Sequence, residues 1–357
     1  MQRKIVRVKD YDPARARAIN PAQIGGIETA VLDDGPGRGV RVAWVNTGSP
    51  LRYKVLIDRG LDIAEAFHAQ HALAFLSMTG PTPPTRALDR GLDWLKSFYG
   101  GLVCSCGPQH VGAPETVEGV EYGLHGTHSN TPAQVEIICQ PDPAAGIAAM
   151  SITGTVRTSR VFGPNVEMRR TIRSVLGQPY IGIHDVFLNR GNAPARHCWL
   201  LHCNFGWPLV DQGTRLVYRG GMVPRPDPAS KRWFRDERRF RFCSGPVPEH
   251  RGAGEACAFV DPPADRGGLC HVGLVNERLA LGVEIAYPKE QYPRLTNWQH
   301  YGPGGEYVVG LEPMSGGMGC GVDVGELAPG ESRCYDCTLS VRTDKKALRE
   351  FIRAWGT

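Results

Sequence analysis

The sequence predicts an all-β protein, a large antiparallel sandwich or barrel with few short helices. Stretches of near period-2 alternation, rich in β-branched and aromatic residues, recur along the chain. Turn formers separate them, with 44 Gly and 28 Pro spread through 357 residues and no long linker. Helical periodicity is scarce, so strands follow strands without the intervening helices of a βαβ sheet. With no repeat of fixed period, residues 1–357 read as one domain, long enough to bury a sizeable core.

The strand-like segments come in three groups. Early ones are "VRVAWVNTG" (40–48), "YKVLIDRG" (53–60), "QVEIICQPD" (134–142) and "IAAMSITGTVRTS" (147–159). Next are "VEMRRTIRSV" (166–175), "YIGIHDVFLNRG" (180–191) and "ARHCWLLHCNFG" (195–206). The last group is "ACAFVD", "LCHVGLVNE", "LALGVEIAYP", "EYVVGLEP" and "RCYDCTLSVRTD". Alternation in "MRRTIRSV" sets Arg169, Thr171 and Arg173 on one face, with Arg170, Ile172 and Ser174 on the other. Short helices are expected at 14–18 and within "LDRGLDWLKSFYGG" (88–101). The best is "DKKALREFIRAW" (344–355), with Asp344 as its cap and Leu348, Phe351 and Ile352 as its apolar stripe.

Composition excludes several classes. A hydrophobic share of 41% with 22% charged residues is that of a globular chain. Net charge is only +5, and Asp236 and Glu237 interrupt the most basic run, "KRWFRDERRFRF" (231–242). That run reads as an exposed β-hairpin, and no nucleic-acid partner is expected. No stretch of 18 apolar residues exists, so no membrane span is expected. The opening "MQRKIVRVKDYDPARARAIN" has no apolar h-region, so a cytoplasmic location is expected, with the 11 cysteines as reduced thiols. Cys334 and Cys337 fit a CxxC half-site, but they lie in a β pattern without a second pair, so core cysteines are the expectation.

Chemistry concentrates in three places: "GLHGTHSN" with His125 and His128, "LLHCNFGWP" with His202, and "VVGLEP" with Glu312. Each sets a titratable side chain beside an apolar strand and next to glycine or proline, where a strand end opens into a cleft. Arg59 in "LIDRGLDI" is a fourth candidate, because an arginine closing a β run holds oxygen ligands in a fixed fork of donors. Each also has a plain structural alternative: a loop or core histidine at 125, a buried hydrogen-bonded one at 202, a strand-end carboxylate at 312. The apolar run up to Glu312 favours a raised pKa, as a general base requires. His125 and His128, with His202 or Glu312, also sketch a metal site, although zinc sites usually show a fuller ligand set.

Taken together and in order, these segments carry a resemblance. "DRGLDI" (58–63), "GGLVCSCG" (100–107), "EYGLHGTHSNTPA" (121–133), "LLHCNFGWPLV" (200–210), "YVVGLEP" (307–313) and "ELAPGES" (326–332) resemble the aldose 1-epimerase (galactose mutarotase-like) superfamily. The chain is most similar to the branch called domain of unknown function 4432. The resemblance implies a galactose mutarotase-like antiparallel β super-sandwich and a Glu/His acid–base reaction that interconverts sugar anomers. It implies His202 as general acid to the ring oxygen, Glu312 as general base on the anomeric hydroxyl, His125 as a third catalytic group that positions or helps protonate the ring oxygen, and Arg59 as a substrate anchor. Better-known mutarotases have proline and tyrosine where this chain has Cys203 and Asn204, and their sugar-binding aspartate has no clear counterpart here. Asn130, Asn204, Trp298 and Gln299 are the candidates for hydroxyl recognition and stacking.

That chemistry needs neither a metal nor an organic cofactor, and the expected partner is a small carbohydrate, with a homodimer left open. Two alternatives stay open: a sugar lyase or isomerase that abstracts a carbon-bound proton on the same fold, and a non-catalytic carbohydrate-binding protein.

Overall fold

The structure is a computed structural model that describes residues 19–356. Its strands pair antiparallel in three main sheets. An eight-stranded sheet runs in the order Arg215–Val217, Leu269–Asn276, Leu281–Pro288, Ser332–Arg342, Tyr180–Asn189, Asn165–Val175, Ala149–Ser159, Ala133–Cys139. A seven-stranded sheet orders Gly221–Pro224, Ala256–Asp261, Arg294–Tyr301, Tyr307–Met314, Leu200–His202 and Cys104–Cys106, with Asn204–Gly206 also pairing to Tyr307–Met314. A five-stranded sheet is built from residues near the start of the described chain, Gly26–Val31 to His71–Ala72.

The two large sheets bury their facing sides in one apolar core. Ile172 and Phe187 from one meet Leu201, Leu295 and Leu311 from the other, and Val45 and Val55 of the third sheet close it. Alternation then dictates what the outer face of the seven-stranded sheet presents. Leu201, Leu311 and Gln299 point inward, while His202, Glu312 and Trp298 point to the far side, where a smaller apolar cluster around Leu200, Cys257 and Met314 supports them.

The strand expectations hold in most segments, and the faces of "MRRTIRSV" fall as alternation requires: Arg169 and Arg173 are exposed, Arg170, Ile172 and Ser174 buried. Segment 195–206 breaks into Ala195–His197, Leu200–His202 and Asn204–Gly206. Strands Gly26–Val31, Asp62–His68 and Arg294–Tyr301 were not expected. The C-terminal helix, Lys345–Trp355, starts where expected, with the Asp344 side chain accepting from the Ala347 amide, a cap worth about 1 kcal/mol.

The basic run is not a hairpin. It folds as two short helices, Pro228–Trp233 and Glu237–Arg241, because Asp227 and Asp236 each cap a helix start and Pro228 occupies the first turn. Segment 88–101 yields only a 3-10 turn, Asp93–Ser97, bracketed by Gly91, Gly100 and Gly101 in the left-handed region. The helix expected at 14–18 lies outside the described residues. Cys334 is exposed and Cys337 buried, since a spacing of three on a strand places them on opposite faces. Of the other cysteines only Cys139 is exposed. No helix among the described residues is long and apolar enough to cross a membrane.

Candidate active site

A cleft of about 600 Å3 opens on the outer face of the seven-stranded sheet. His202, Trp298 and Glu312 form its floor, the Asp93–Ser97 turn one wall, and the loop carrying His125 another. Glu312 Oε1 lies 3.2 Å from His202 Nδ1, and neither atom has a hydrogen-bond partner. The two are in contact without an aligned hydrogen bond, as is common in catalytic pairs that tighten only around a substrate. The ring of His125 meets His202 edge-on at 5.4 Å between centroids.

Local sequence explains each placement. Glu312 and Gly310 share a strand face, and a Cβ at Gly310 would stand 2.3 Å from Glu312 Oε1 and 3.1 Å from the Trp298 ring. The "GLE" spelling therefore leaves room for the carboxylate. His125 itself adopts φ +60°, and Gly126 follows at +73°. A Cβ on Gly126 would sit 2.6 Å from the Gly107 carbonyl oxygen, so "HG" is a steric requirement. Holding a histidine in the left-handed region costs roughly 1–3 kcal/mol and is tolerated where the surroundings over-determine it. Here they do: the His125 amide donates to Gly112 O at 3.0 Å, and its carbonyl accepts from Gly107 at 3.0 Å. The Gly112 amide also donates to His125 Nδ1 at 3.3 Å, which leaves Nε2 to carry the ring proton of the neutral form.

Aromatic rings complete the cleft. Trp94 and Phe98 stack at 4.5 Å, and Trp94 lies 4.8 Å from His125 while Phe98 lies 5.6 Å from His202. Trp298 stands edge-on to His202 at 5.3 Å. Its indole N–H donates to Glu255 Oε2 at 2.7 Å, and Arg225 clamps the other Glu255 oxygen at 2.6 Å.

Electrostatics follow from dryness. Burial pushes Glu312 well above the usual carboxylate range, and the Glu255 charge adds to the push. Burial holds His202 down to about 4. His125 is also held well below the ordinary histidine value, by burial and then by His202. A carboxyl raised and an imidazole lowered in contact behave as one pair sharing a proton, which rests on the carboxyl.

The structure thus brings together four of the expected residues, His125, His202, Glu312 and Trp298. The other four lie elsewhere. Arg59 is wholly buried, its three nitrogens are engaged by the carbonyls of Ser129, Thr82 and Ser97, and it does not line the cleft. Gln299 neighbours Trp298 on a strand and therefore faces the opposite side, where it bonds Trp233 Nε1 at 2.8 Å and the Phe240 carbonyl at 3.0 Å. Asn204 follows the break at Cys203 and donates to the carbonyls of Gly101 at 3.1 Å and His202 at 2.9 Å. Asn130 donates to Ser97 Oγ and floors a different pocket. His128 is a core residue: its Nε2–H donates to Gly60 O at 3.1 Å and its ring meets Trp199 edge-on. No cluster of three or more His, Cys, Asp or Glu side chains among the described residues is arranged to hold a metal ion.

The family described as domain of unknown function (DUF4432) matches residues 37–341. The chain belongs to that family. No curated protein matches the chain. Among solved structures, a candidate aldose 1-epimerase from Klebsiella pneumoniae is similar at TM-score 0.81 and 24% identity, covering 95% of this chain and 91% of that one. A galactose mutarotase-like protein from Clostridium acetobutylicum gives TM-score 0.60 at 11% identity, covering 90% of this chain and 100% of that one. A galactose 1-epimerase from Lactobacillus acidophilus gives 0.56 at 9%, covering 88% and 98% respectively. At these identities the likeness is one of fold: this DUF4432 chain has the galactose mutarotase-like β-sandwich.

Three contributors to the cleft of this DUF4432 protein escaped sequence reading: Trp94, Phe98 and Glu255. Glu255 had a signal, since it sits between Gly254 and the apolar strand Ala256–Asp261, the same setting that singled out Glu312. Trp94 and Phe98 lay in a segment read as a helix, and nothing local aims them at a histidine formed from another part of the chain.

Proposed function

We propose that the protein interconverts the anomers of a sugar or sugar derivative, as an aldose 1-epimerase-like isomerase of one domain. The observation that carries this reading is the Glu312–His202 pair, buried at the cleft floor 3.2 Å apart with its facing atoms unbonded. The fold likeness to proteins described as aldose 1-epimerases supports it.

Mutarotation removes the proton of the anomeric hydroxyl while another proton reaches the ring oxygen. The ring opens, the carbonyl turns over, and closure reverses both transfers. The pair suits this because it carries one proton and has two forms, carboxyl with imidazole and carboxylate with imidazolium. The resting pair is carboxyl with imidazole, and around a bound sugar its proton passes to His202. From that charged form Glu312 acts as base and His202 as acid, so opening returns the pair to the neutral form and closure on the other carbonyl face restores the charged one. His125 Nε2–H assists at the ring oxygen, and Trp94, Phe98 and Trp298 pack against the C–H faces of the sugar.

The test is polarimetry or NMR exchange on a panel of aldoses with wild type, Glu312→Gln and His202→Ala. The reading expects anomer exchange lost in both variants. Wild-type rates in both would sink it, and an unsaturated or keto product would replace it with a lyase or carbon-proton isomerase.

A further inference from the structure

Outside the group of His125, His202 and Glu312, most polar side chains lining the cleft are already spent on the protein. Both Glu255 oxygens are taken, by Trp298 and Arg225, and a second Arg225 nitrogen binds Asp227 at 2.7 Å. The ring nitrogens of His300 lie against two backbone carbonyls, of Glu306 at 2.7 Å and Gly252 at 2.8 Å. Ser77 and Thr79 give their hydroxyl hydrogens to the Phe98 carbonyl, and the Trp94 indole N–H donates to Ser129 Oγ at 2.9 Å. Among the charged side chains on the lining, Arg225 stands against Glu255, Glu306 and Glu312.

Around His125 the wall is apolar. Trp94 lies 4.8 Å from the His125 ring, Leu124 precedes it in the chain, and Met318 packs over Gly112, where a Cβ would stand 2.7 Å from Met318 Cγ. Gly112 is the residue whose amide holds His125 Nδ1. Leu124 and Met318 both line the cleft and rest on the smaller apolar cluster. With His125 at the ring oxygen, the atom bonded to that oxygen on the side away from the anomeric carbon is C5. The C5 substituent therefore falls beside His125, on this wall. A hydroxyl there would be buried without a partner, whereas a methyl group would add apolar contact. A carboxylate or phosphate would meet the glutamates of the lining.

We propose that the sugar of this cleft is a neutral 6-deoxyaldose, seated with its C5 methyl group against Trp94, Leu124 and Met318. The proposal rests on the anomer-exchange reading of the cleft and narrows it to one substrate class. An apolar wall rejects an added hydroxyl by about a hundredfold at most, and one carbon more or less is worth about tenfold or more. The preference is therefore graded: methyl above hydrogen, hydrogen above hydroxymethyl, carboxylate last.

The experiment measures anomer exchange by NMR, as kcat/KM of the full chain, on sets matched in ring configuration. One set is D-galactose, 6-deoxy-D-galactose, L-arabinose and D-galacturonate, and the corresponding gluco and manno sets accompany it. Within any set that is exchanged, the 6-deoxy sugar should exceed the hexose by about ten- to a hundredfold and the pentose by about tenfold, with the uronate slowest. Met318→Gln, close in shape but polar, should shrink the ratio of 6-deoxy sugar to hexose by about tenfold, whereas a purely structural role would lower all rates together. Quenching of tryptophan fluorescence, with Trp94 and Trp298 on the lining, reads affinity without chemistry. The same order in affinity with no exchange in any set would sink the anomer-exchange reading and keep the substrate class. A hexose or uronate equal to its 6-deoxy sugar, no binding in any set, or an unchanged ratio in Met318→Gln overturns the proposal.

Discussion

Two groups of buried polar side chains lie on either side of the seven-stranded sheet, and they are built on opposite terms. On the inner side, Arg170 reaches Asp185 through two hydrogen bonds of 2.7 and 2.8 Å and Asp62 through one of 2.8 Å. Ser105, Tyr99 and Trp199 complete the carboxylates and the guanidinium. On the outer side, Glu312 and His202 are just as dry, yet their facing atoms have no bond. Saturated charges of the first kind fix a structure, because every carboxylate oxygen already has a donor. Unsaturated ones of the second kind keep their capacity for something that arrives. Arg59 belongs to the first group, which is why an arginine expected to hold substrate turns out to hold the loops behind the cleft together.

The contrast can be broken most sharply at Glu312. Glu312→Gln should lower anomer exchange by about 10²–10⁴-fold, the usual worth of a general acid–base group, while the thermal midpoint holds or rises. An equal loss of stability would erase the distinction between the two regions. Arg170→Met should do the converse, costing about 3–5 kcal/mol in urea unfolding because it strands two buried carboxylates. A well-folded Arg170→Met protein with only its activity lost would move Arg170 into the cleft's chemistry.

Gly310→Ala sharpens the geometry of the pair. Its Cβ would have to displace the Glu312 carboxylate from 2.3 Å, and an ångström of misplacement costs up to about 10²-fold in kcat, read by polarimetry with circular dichroism unchanged. Glu255→Gln is gentler. Losing a charge-assisted hydrogen bond to Trp298 should raise KM about tenfold, and removing the charge that helps raise Glu312 should move the acid limb of the pH–rate profile to lower pH.

The smallest effect per unit is on the pH dependence of stability. His128 is held by burial down to about 3 from an ordinary 6.5, so the unfolded chain takes up its proton first and stability falls as pH drops below about 6.5. The slope is about 1.4 kcal/mol per pH unit for each such histidine, down to the folded value. His271 has the opposite sign: hydrogen bonding to Glu284 raises it, so its contribution is lost as pH rises through its folded value. Urea unfolding between pH 4 and 8 should show His128→Gln flattening the acid side and His271→Gln the neutral side.

How much of the cleft could be read in the sequence depended on whether the signal was local. "GLE" and "HG" carry their own steric reason, since each glycine clears space for the side chain beside it or for the backbone it crosses. Trp298 and Gln299 were adjacent candidates, but period-2 alternation permits only one of them on a given face, so they could not both serve. Asn130 and Asn204 were chosen as polar residues near the motif histidines. Their amides are consumed by, or aimed at, groups from segments about 30 to 100 residues away, which proximity in sequence cannot reveal.

By itself, the sequence determined the strand-rich architecture, the capped C-terminal helix and the buried faces of its long strands, and it singled out His202 and Glu312, which the structure sets 3.2 Å apart. These follow from alternation, capping and steric clearance, all of which act over a few residues. Only the tertiary structure decided that Arg59 and His128 are internal struts, that Trp94, Phe98 and Glu255 enclose the pair, and that Asn130 borders a second pocket. Those outcomes depend on which distant groups satisfy each buried donor and acceptor, and that accounting closes only when the sheets are packed.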